Sequence, residues 1–527
     1  MNFSQARVRL VQAGGVFLVA ALVAGCGNNY RPVVTPINPS GPPAQPLSYA
    51  VAVSAPSPSA PGIATVVDYS GDTIMASAPI GPGPTAFTLD ESGTNGYTIN
   101  SDHTLTNFPV SGTLQAKNVT YTTVSNTAQL LNLFSPSSGL WATDLCATFP
   151  PSTVCENVAD VFTGSPQTFL LSIPLQSTNP VANTPVMVTG PGTRGTRYFA
   201  VSQNLVTSDN PTPTGMECNN SATAQPNGVV TGIEVSNNST DAPIPVGKCP
   251  VFAIESPDTG RLFVLNRGSD TITVINAQDD TLDACTPFKN QAGQLVTCHP
   301  TLAISQASLN AANAPTNCNF TSDPTCSLPA DGGLLPIAGP IYAEYNSAKN
   351  LLVVADYTGN SISVIDVSLD EYGNDSSTFG TTYTIPVGNS PASLTVLVDG
   401  SRAYTANQAD QSVTVVNLNN NTVEKTLPVT GHPRTVVSTQ NSTYGKVYVA
   451  SPDSQYLTII ATGGTDPDSV DTTLDLNSGH LVDVRVTTQN GSSQNAYNQS
   501  RIPGYGQPCN LPGTTAATTL SACQKLP

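Results

Sequence analysis

The chain has 527 residues, only 10% of them charged, and 35 acidic against 18 basic side chains leave a net charge of −17. An acidic chain without basic clusters is a poor nucleic-acid binder, so that class of partner is set aside. With 41 Gly and 45 Pro, and Ser, Thr and Asn in place of the usual surface Lys and Glu, the composition suits short strands joined by many turns rather than helices.

The N-terminus reads as a targeting segment. Arg7 and Arg9 precede an apolar run over 10–23 that is too short for a stable membrane span, and the run ends in small residues before Cys26. This is expected to be a signal peptide over 1–25 with lipidation at Cys26, and several acyl chains on one residue anchor a protein stably. By resemblance to Gram-negative lipoproteins, Gly27 after the cysteine, where Asp is absent, implies the outer membrane. Residues 26–46 contain six prolines and no apolar periodicity, and are expected to form a stiff tether. No later run is long and apolar enough to cross a bilayer.

Residues 47–490 carry a repeat. Four runs read as variants of one strand–turn–strand unit: 260–276 (GRLFVLNRGSDTITVIN), 349–366 (KNLLVVADYTGNSISVID), 400–417 (GSRAYTANQADQSVTVVN) and 445–461 (GKVYVASPDSQYLTIIA). A second landmark recurs between units: 78–84 (APIGPGP), 244–250 (IPVGKCP), 335–340 (LPIAGP), 385–391 (IPVGNSP) and 427–433 (LPVTGHP). A repeated supersecondary unit of this kind predicts an all-β propeller of four-stranded blades, strand A innermost and strand D outermost. Proline is tolerated on the outer strand, and the glycine and second proline turn the chain inward to the next strand A.

Candidate third strands begin near Ile63, Leu105, Val158, Val229, Ile272, Ile362, Val413 and Leu457, which makes eight blades. The last strand A, over 481–486, has no B or C after it, whereas strands over 49–53, 63–67 and 73–77 lack an A. The two termini are therefore expected to complete one blade together and remove the exposed sheet edges. Seven blades stay open, because the divergent stretch over 118–175 is hard to count. The tail over 491–527 is expected to be irregular.

The landmarks resemble the YVTN-type repeats of bacterial surface β-propellers, in which an I-P-V-G-x-x-P turn leads to V-A-V-S-P-D-G, L-Y-V-A-N and V-S-V-I-D. Here the later parts appear as FAIESPDTG (252–260), LFVLN (262–266) and ITVIN (272–276). The match is specific over 244–458, looser over 47–246 and lost after about 490. Members of that family more often have seven blades.

Eleven cysteines are present. Setting Cys26 aside leaves an even number in an exported chain, whose spacing suggests the disulfides Cys146–Cys155, Cys218–Cys249, Cys285–Cys298, Cys318–Cys326 and Cys509–Cys523. No C-x-x-C is present, so metal or haem binding by cysteine is not expected.

His432 lies in a turn from D to A and His480 in the equivalent turn of the next repeat, so both are expected near the channel mouth and are the candidate catalytic or metal-binding pair. His103 and His299 are expected to be solvated. Acidic clusters at Asp279, Asp280 and Asp283, at Asp370, Glu371 and Asp375, and at Asp466, Asp468 and Asp471 do not match an EF-hand and are expected to be solvated turns; calcium or another divalent metal is the alternative. Trp141 is expected in the core. No cofactor is expected. The function indicated is a cell-envelope binding or scaffolding module for a protein or glycan partner, more a non-enzyme than an enzyme. The alternative is a lactonase-like hydrolase or lyase with a metal-assisted site at the channel mouth.

Overall fold

In the computed structural model the described residues are 48–487, apart from 58, 69–70, 125–129, 137–138, 149–154, 176–182, 191–195, 205–226, 291–292, 294 and 304–336. All belong to the larger of two compact units, residues 46–527. They form eight four-stranded antiparallel blades in a β-propeller. Cys26, the tether, Cys218, Cys318, Cys326, Cys509, Cys523 and the tail after 490 lie outside the described residues.

Blade 1 takes its three outer strands from Tyr49–Ala55, Pro61–Asp68 and Thr73–Pro82, and its inner strand from His480–Val486 at the other end of the chain. The join is in register, with Val51 opposite Arg485 and Ala52 opposite Val484. Tyr49 N–H donates to Thr487 Oγ1 at 2.7 Å and Thr487 N–H to the Tyr49 carbonyl at 2.8 Å. The expected closure by the two termini is therefore observed. All four strands gain partners that an open array would leave to solvent.

Blade 2 runs from Pro84–Leu89 to Thr120–Thr123, blade 3 from Leu130–Phe134 to Thr168–Pro174, and blade 4 from Asn183–Thr189 to Ile244–Lys248. Blade 5 begins at Pro250–Glu255, and its outer strand is split into Thr281–Leu282 and Thr301–Ala303, both paired with Thr271–Asn276. Blades 6, 7 and 8 begin at Pro340–Asn346, Pro391–Val396 and Thr435–Ser438. The divergent stretch that left seven blades open is an ordinary blade 3. Its second and third strands run to Thr148 and from Cys155, with Glu156 opposite Ala147.

The inner and middle strands of a blade are buried along nearly their whole length, as in Pro250–Glu255, Arg261–Asn266 and Thr271–Asn276, whereas outer strands such as Thr422–Pro428 are largely exposed. Phe252 and Tyr342, on neighbouring inner strands, have ring centroids 4.9 Å apart. Trp141 is buried edge-on against Tyr198 at 5.2 Å, joining blades 3 and 4.

The repeated Asn at the end of the second strand has a defined task. Asn100 Nδ2 donates to Thr104 Oγ1 and Thr106 Oγ1, Asn266 to Thr271 and Thr273, and Asn407 to Ser412 and Thr414, all within 2.7–3.2 Å. Asp356 holds the place in blade 6, accepting from Ser361 and Ser363. The glycine of the preceding landmark lies against this amide. A Cβ on Gly81 would meet Asn100 at 2.1 Å, one on Gly247 would meet Asn266 Cγ at 2.6 Å, and one on Gly388 would meet Asn407 Cγ at 2.6 Å. The glycine of the I-P-V-G landmark is thus required by contact, not by a left-handed backbone.

An inner strand pairs on one edge only, and its other edge needs acceptors from elsewhere. Neighbouring inner strands supply them. Ala253 N–H donates to Met187 Sδ at 3.3 Å, Val396 N–H to Glu344 Oε2 at 2.7 Å, and Val436 N–H to Ser393 Oγ at 3.1 Å.

Candidate functional site

The turns from B to C and from D to A emerge on one face, where they are tied to each other. Asp270, Asn360 and Gln411 each stand in the left-handed region just before a third strand, at φ 53°, 53° and 52°. Asp270 Oδ1 accepts from Gly339 N–H at 2.7 Å and Asn360 Oδ1 from Ser390 N–H at 2.9 Å. Asp410 accepts from the Asn389 backbone and side chain at 2.6 and 2.7 Å.

His432 sits within this pattern. Its N–H donates to Asp453 Oδ1 at 2.7 Å, its Nδ1 lies 2.7 Å from Asp453 Oδ2, and its Nε2 lies 3.2 Å from Gln411 Nε2. Asp453 is in the B–C turn of blade 8 and Gln411 in that of blade 7, so the imidazole clips two blades. Gly431, at φ 77°, allows the approach, because a Cβ there would lie 2.5 Å from Asp453 Oδ1. His480 opens the closing strand opposite Ala55, and its Nδ1 is enclosed without a hydrogen-bond partner. Both histidines flank the same turn of blade 8, His432 through Asp453 and His480 beside Ser454, whose carbonyl accepts from Leu481 N–H at 2.8 Å. Among the described residues no three His, Cys, Asp or Glu side chains converge as a metal site.

His103 is exposed, as expected, but His299 is only 1% exposed, which corrects the expectation of a solvated histidine. Residues 283–300 leave the split outer strand of blade 5 as an excursion tied by the Cys285–Cys298 disulfide. His299 Nδ1 lies 2.6 Å from Asp375 Oδ2, and its ring stacks on Phe379 at 5.0 Å. Arg261 Nη2 lies 3.1 Å from Asp375 and 3.4 Å from Asp283. Burial beside Asp375 pushes the Asp283 carboxyl up to about 6. Several acids expected in solvated turns are thus partners of enclosed cations. Asp280 accompanies Arg197 at 3.2 Å, and Asp468 binds Arg402 and Tyr404. Arg197 gathers Glu234, Asp241 and Asp280 within 4 Å, and Arg261 gathers Asp283 and Asp375, so one base serves several acids.

Cys249 is disulfide-bonded, while Cys218, its expected partner, lies outside the described residues. Cys146 and Cys155 lie on the adjoining strands Leu140–Thr148 and Cys155–Thr163.

The inner strands hold charged groups that sequence reasoning missed. Asp483 and Arg485 of blade 1 form an ion pair at 0% and 1% side-chain exposure. Arg434 and Thr435 enter from blade 8, and Tyr342 and Glu344 from blade 6, all buried. Burial pushes the Asp483 carboxyl up to about 6, opposed by Arg485, by hydrogen bonds from Thr435 and Val484, and by Arg434. Burial, and then the nearby Glu344 carboxylate, hold the Tyr342 phenol well above its usual range. Two guanidinium and two carboxylate groups leave this dehydrated cluster without net charge. The clue in the sequence was the alternation of charge with valine over 482–486, which a strand buried on both faces does not carry without partners.

No family model matches the sequence, and no curated protein matches it. Among solved structures the chain is similar to dihydro-heme d1 dehydrogenase NirN in complex with DHE, with 13% identity over 88% of this chain and 78% of that one and a TM-score of 0.51. It is also similar to AztD from Citrobacter koseri, with 11% identity over 83% and 97% and a TM-score of 0.47. Streptogramin B lyase shares 13% identity over 70% and 90%, with a TM-score of 0.39. Identities this low speak to the propeller fold and not to a reaction.

Proposed function

We propose that this chain is an exported cell-envelope lipoprotein, anchored through Cys26 in the outer membrane, whose propeller binds or scaffolds a protein or glycan partner. The observation that supports binding over catalysis is the position of His432. Both ring nitrogens face side chains of the neighbouring turns, which fits a clip that stiffens the loop face better than a free acid–base group. Loops held rigid by a scaffold are where binding sites usually reside. The disulfides expected at the other cysteine pairs would stiffen the remaining loops in the same way. The resemblance to YVTN-type repeats, and through it to surface propellers, supports the same reading.

The test is saturation binding of labelled residues 27–527 to envelope preparations. Saturable binding that unlabelled protein displaces supports the proposal, and its loss after protease or after periodate assigns a protein or a glycan partner. Purely linear uptake contradicts it. Anchoring is tested by incorporation of an alkynyl fatty acid, which Cys26→Ala should abolish.

A second reading rests on one feature. Asp453 orients His432 as a carboxylate orients the base of a hydrolase. In the lactonase-like alternative His432 is the general base, with His480 beside it and a divalent metal assisting. Lactone turnover lost in His432→Gln would support this reading.

A further inference from the structure

Arg267 differs from four other arginines of the propeller. Arg197, Arg261, Arg402 and Arg485 each lie within 4 Å of a carboxylate. Arg267 instead lies over the ring of Tyr357, its guanidinium carbon 5.3 Å from the ring centroid. Its Nη1 is enclosed and has no hydrogen-bond partner. The nearby acid, Asp270, accepts from Gly339 N–H through Oδ1 and acts on Arg267 through space without a direct contact.

The site is built rather than incidental. Arg267 follows the Asn266 clasp in the B–C turn of blade 5, on the face that carries the tied turns. Its N–H donates to the Cys249 carbonyl at 3.0 Å, and Gly268 N–H to the Lys248 carbonyl at 3.0 Å. Cys249 is itself disulfide-bonded, which pins the turn beneath. Tyr357 occupies the corresponding position of blade 6, and its hydroxyl donates to Gln408 Oε1 at 3.2 Å. Gln408 occupies that position in blade 7 and is buried. Three blades thus hold one cation in a fixed orientation.

An enclosed guanidinium N–H without an acceptor is costly, and a planar guanidinium fork matches an oxyanion. We propose that Arg267, supported by Tyr357 and Gln408, binds an oxyanion of the partner, a carboxylate or a phosphate. The stacked aromatic ring fixes the guanidinium plane before the ligand arrives, so little ordering remains to be done on binding. Burial lowers the Arg267 pKa to about 10, which leaves it charged at neutral pH.

The inference rests on the reading of this face as the binding face. It is tested by calorimetric titration of the soluble domain with citrate and with inorganic phosphate, at ionic strength held constant with sodium chloride. Saturable binding of either probe is expected. Arg267→Gln should weaken it by about tenfold or more, the effect of losing one charge-assisted contact. Arg267→Lys, which keeps the charge but loses the planar fork, should also weaken it, and it serves as the test if the glutamine variant misfolds. Binding of citrate alone points to a carboxylate partner, and of phosphate alone to a phosphorylated one. A flat titration, or equal isotherms for wild type and variants, overturns the site as an adventitious ion only. Envelope binding that persists while the anion titration is flat would sink this site and leave the binding reading standing.

Discussion

Gly388→Ala offers a sharp test of how the repeat is built. The alanine Cβ would lie 2.6 Å from both Cγ and Nδ2 of Asn407, a fully buried residue. Gly388 has no left-handed backbone to protect, so the whole effect comes from this contact. Asn407 must move, and its bonds to Ser412 at 3.0 Å and Thr414 at 2.8 Å weaken. Overpacking together with the loss of these bonds is expected to cost about 2–3 kcal/mol. Asn407→Ala alone should cost about 2–4 kcal/mol, from the same bonds and the volume removed. The double variant should then be no worse than Asn407→Ala, because the new methyl enters the space the amide has left. The coupling between the two sites is therefore about 2 kcal/mol in the favourable direction. For a body of this size about 1 kcal/mol shifts the melting temperature by about 1 °C, so the single variants should melt about 2–4 °C lower, within reach of calorimetry. Additive losses in the double variant, or an unchanged melting temperature in Gly388→Ala, would refute the contact argument.

Burial, with a smaller contribution from the neighbouring Asp144 carboxylate, pushes Asp160 up to about 7. Its folded pKa exceeds the unfolded value of about 3.9, so its contribution is fully present below about pH 4 and is lost as pH rises through about 7. Asp160→Asn, which keeps an acceptor for Ser172, should match wild type near pH 4 and be more stable near pH 8 by on the order of 2 kcal/mol; urea melts at the two pH values check this, and a difference independent of pH counts against it. The Cys285–Cys298 bridge spans 13 residues. Replacing both cysteines with serine should cost about 3 kcal/mol and open the excursion to trypsin at Lys289, and unchanged cleavage would show that the side-chain contacts of Asp283 and His299 secure it without the bridge.

The strand framework was legible because the repeat wrote it many times. Eight third strands, and the closure by 481–486, follow from alternation and turn residues that every blade must share. The site was far less legible. His432 and His480 stood out as rare residues in matching turns, yet the role of His432 depends on Asp453 and Gln411, which come from different repeats. Asp483, Arg485, Arg434 and Glu344 meet only because three blades curve around one axis, a juxtaposition that no local spacing encodes. His299 was misplaced for a related reason. Its segment is polar and rich in turn residues, and only the fold shows Asp375 of the next blade waiting beside it. The pairing of Arg267 with Tyr357 likewise joins equivalent positions of two blades, one repeat apart.

The account's central claim, that His432 braces a binding face, is tested most directly by comparing wild type with His432→Gln in saturation binding to envelope preparations. The account predicts saturable binding with affinity close to wild type, together with a melting temperature lower by about 1 °C, as expected for one partly buried hydrogen-bonded clip. Non-saturable binding by wild type would contradict the claim, as would turnover of an envelope component that the histidine replacement abolishes.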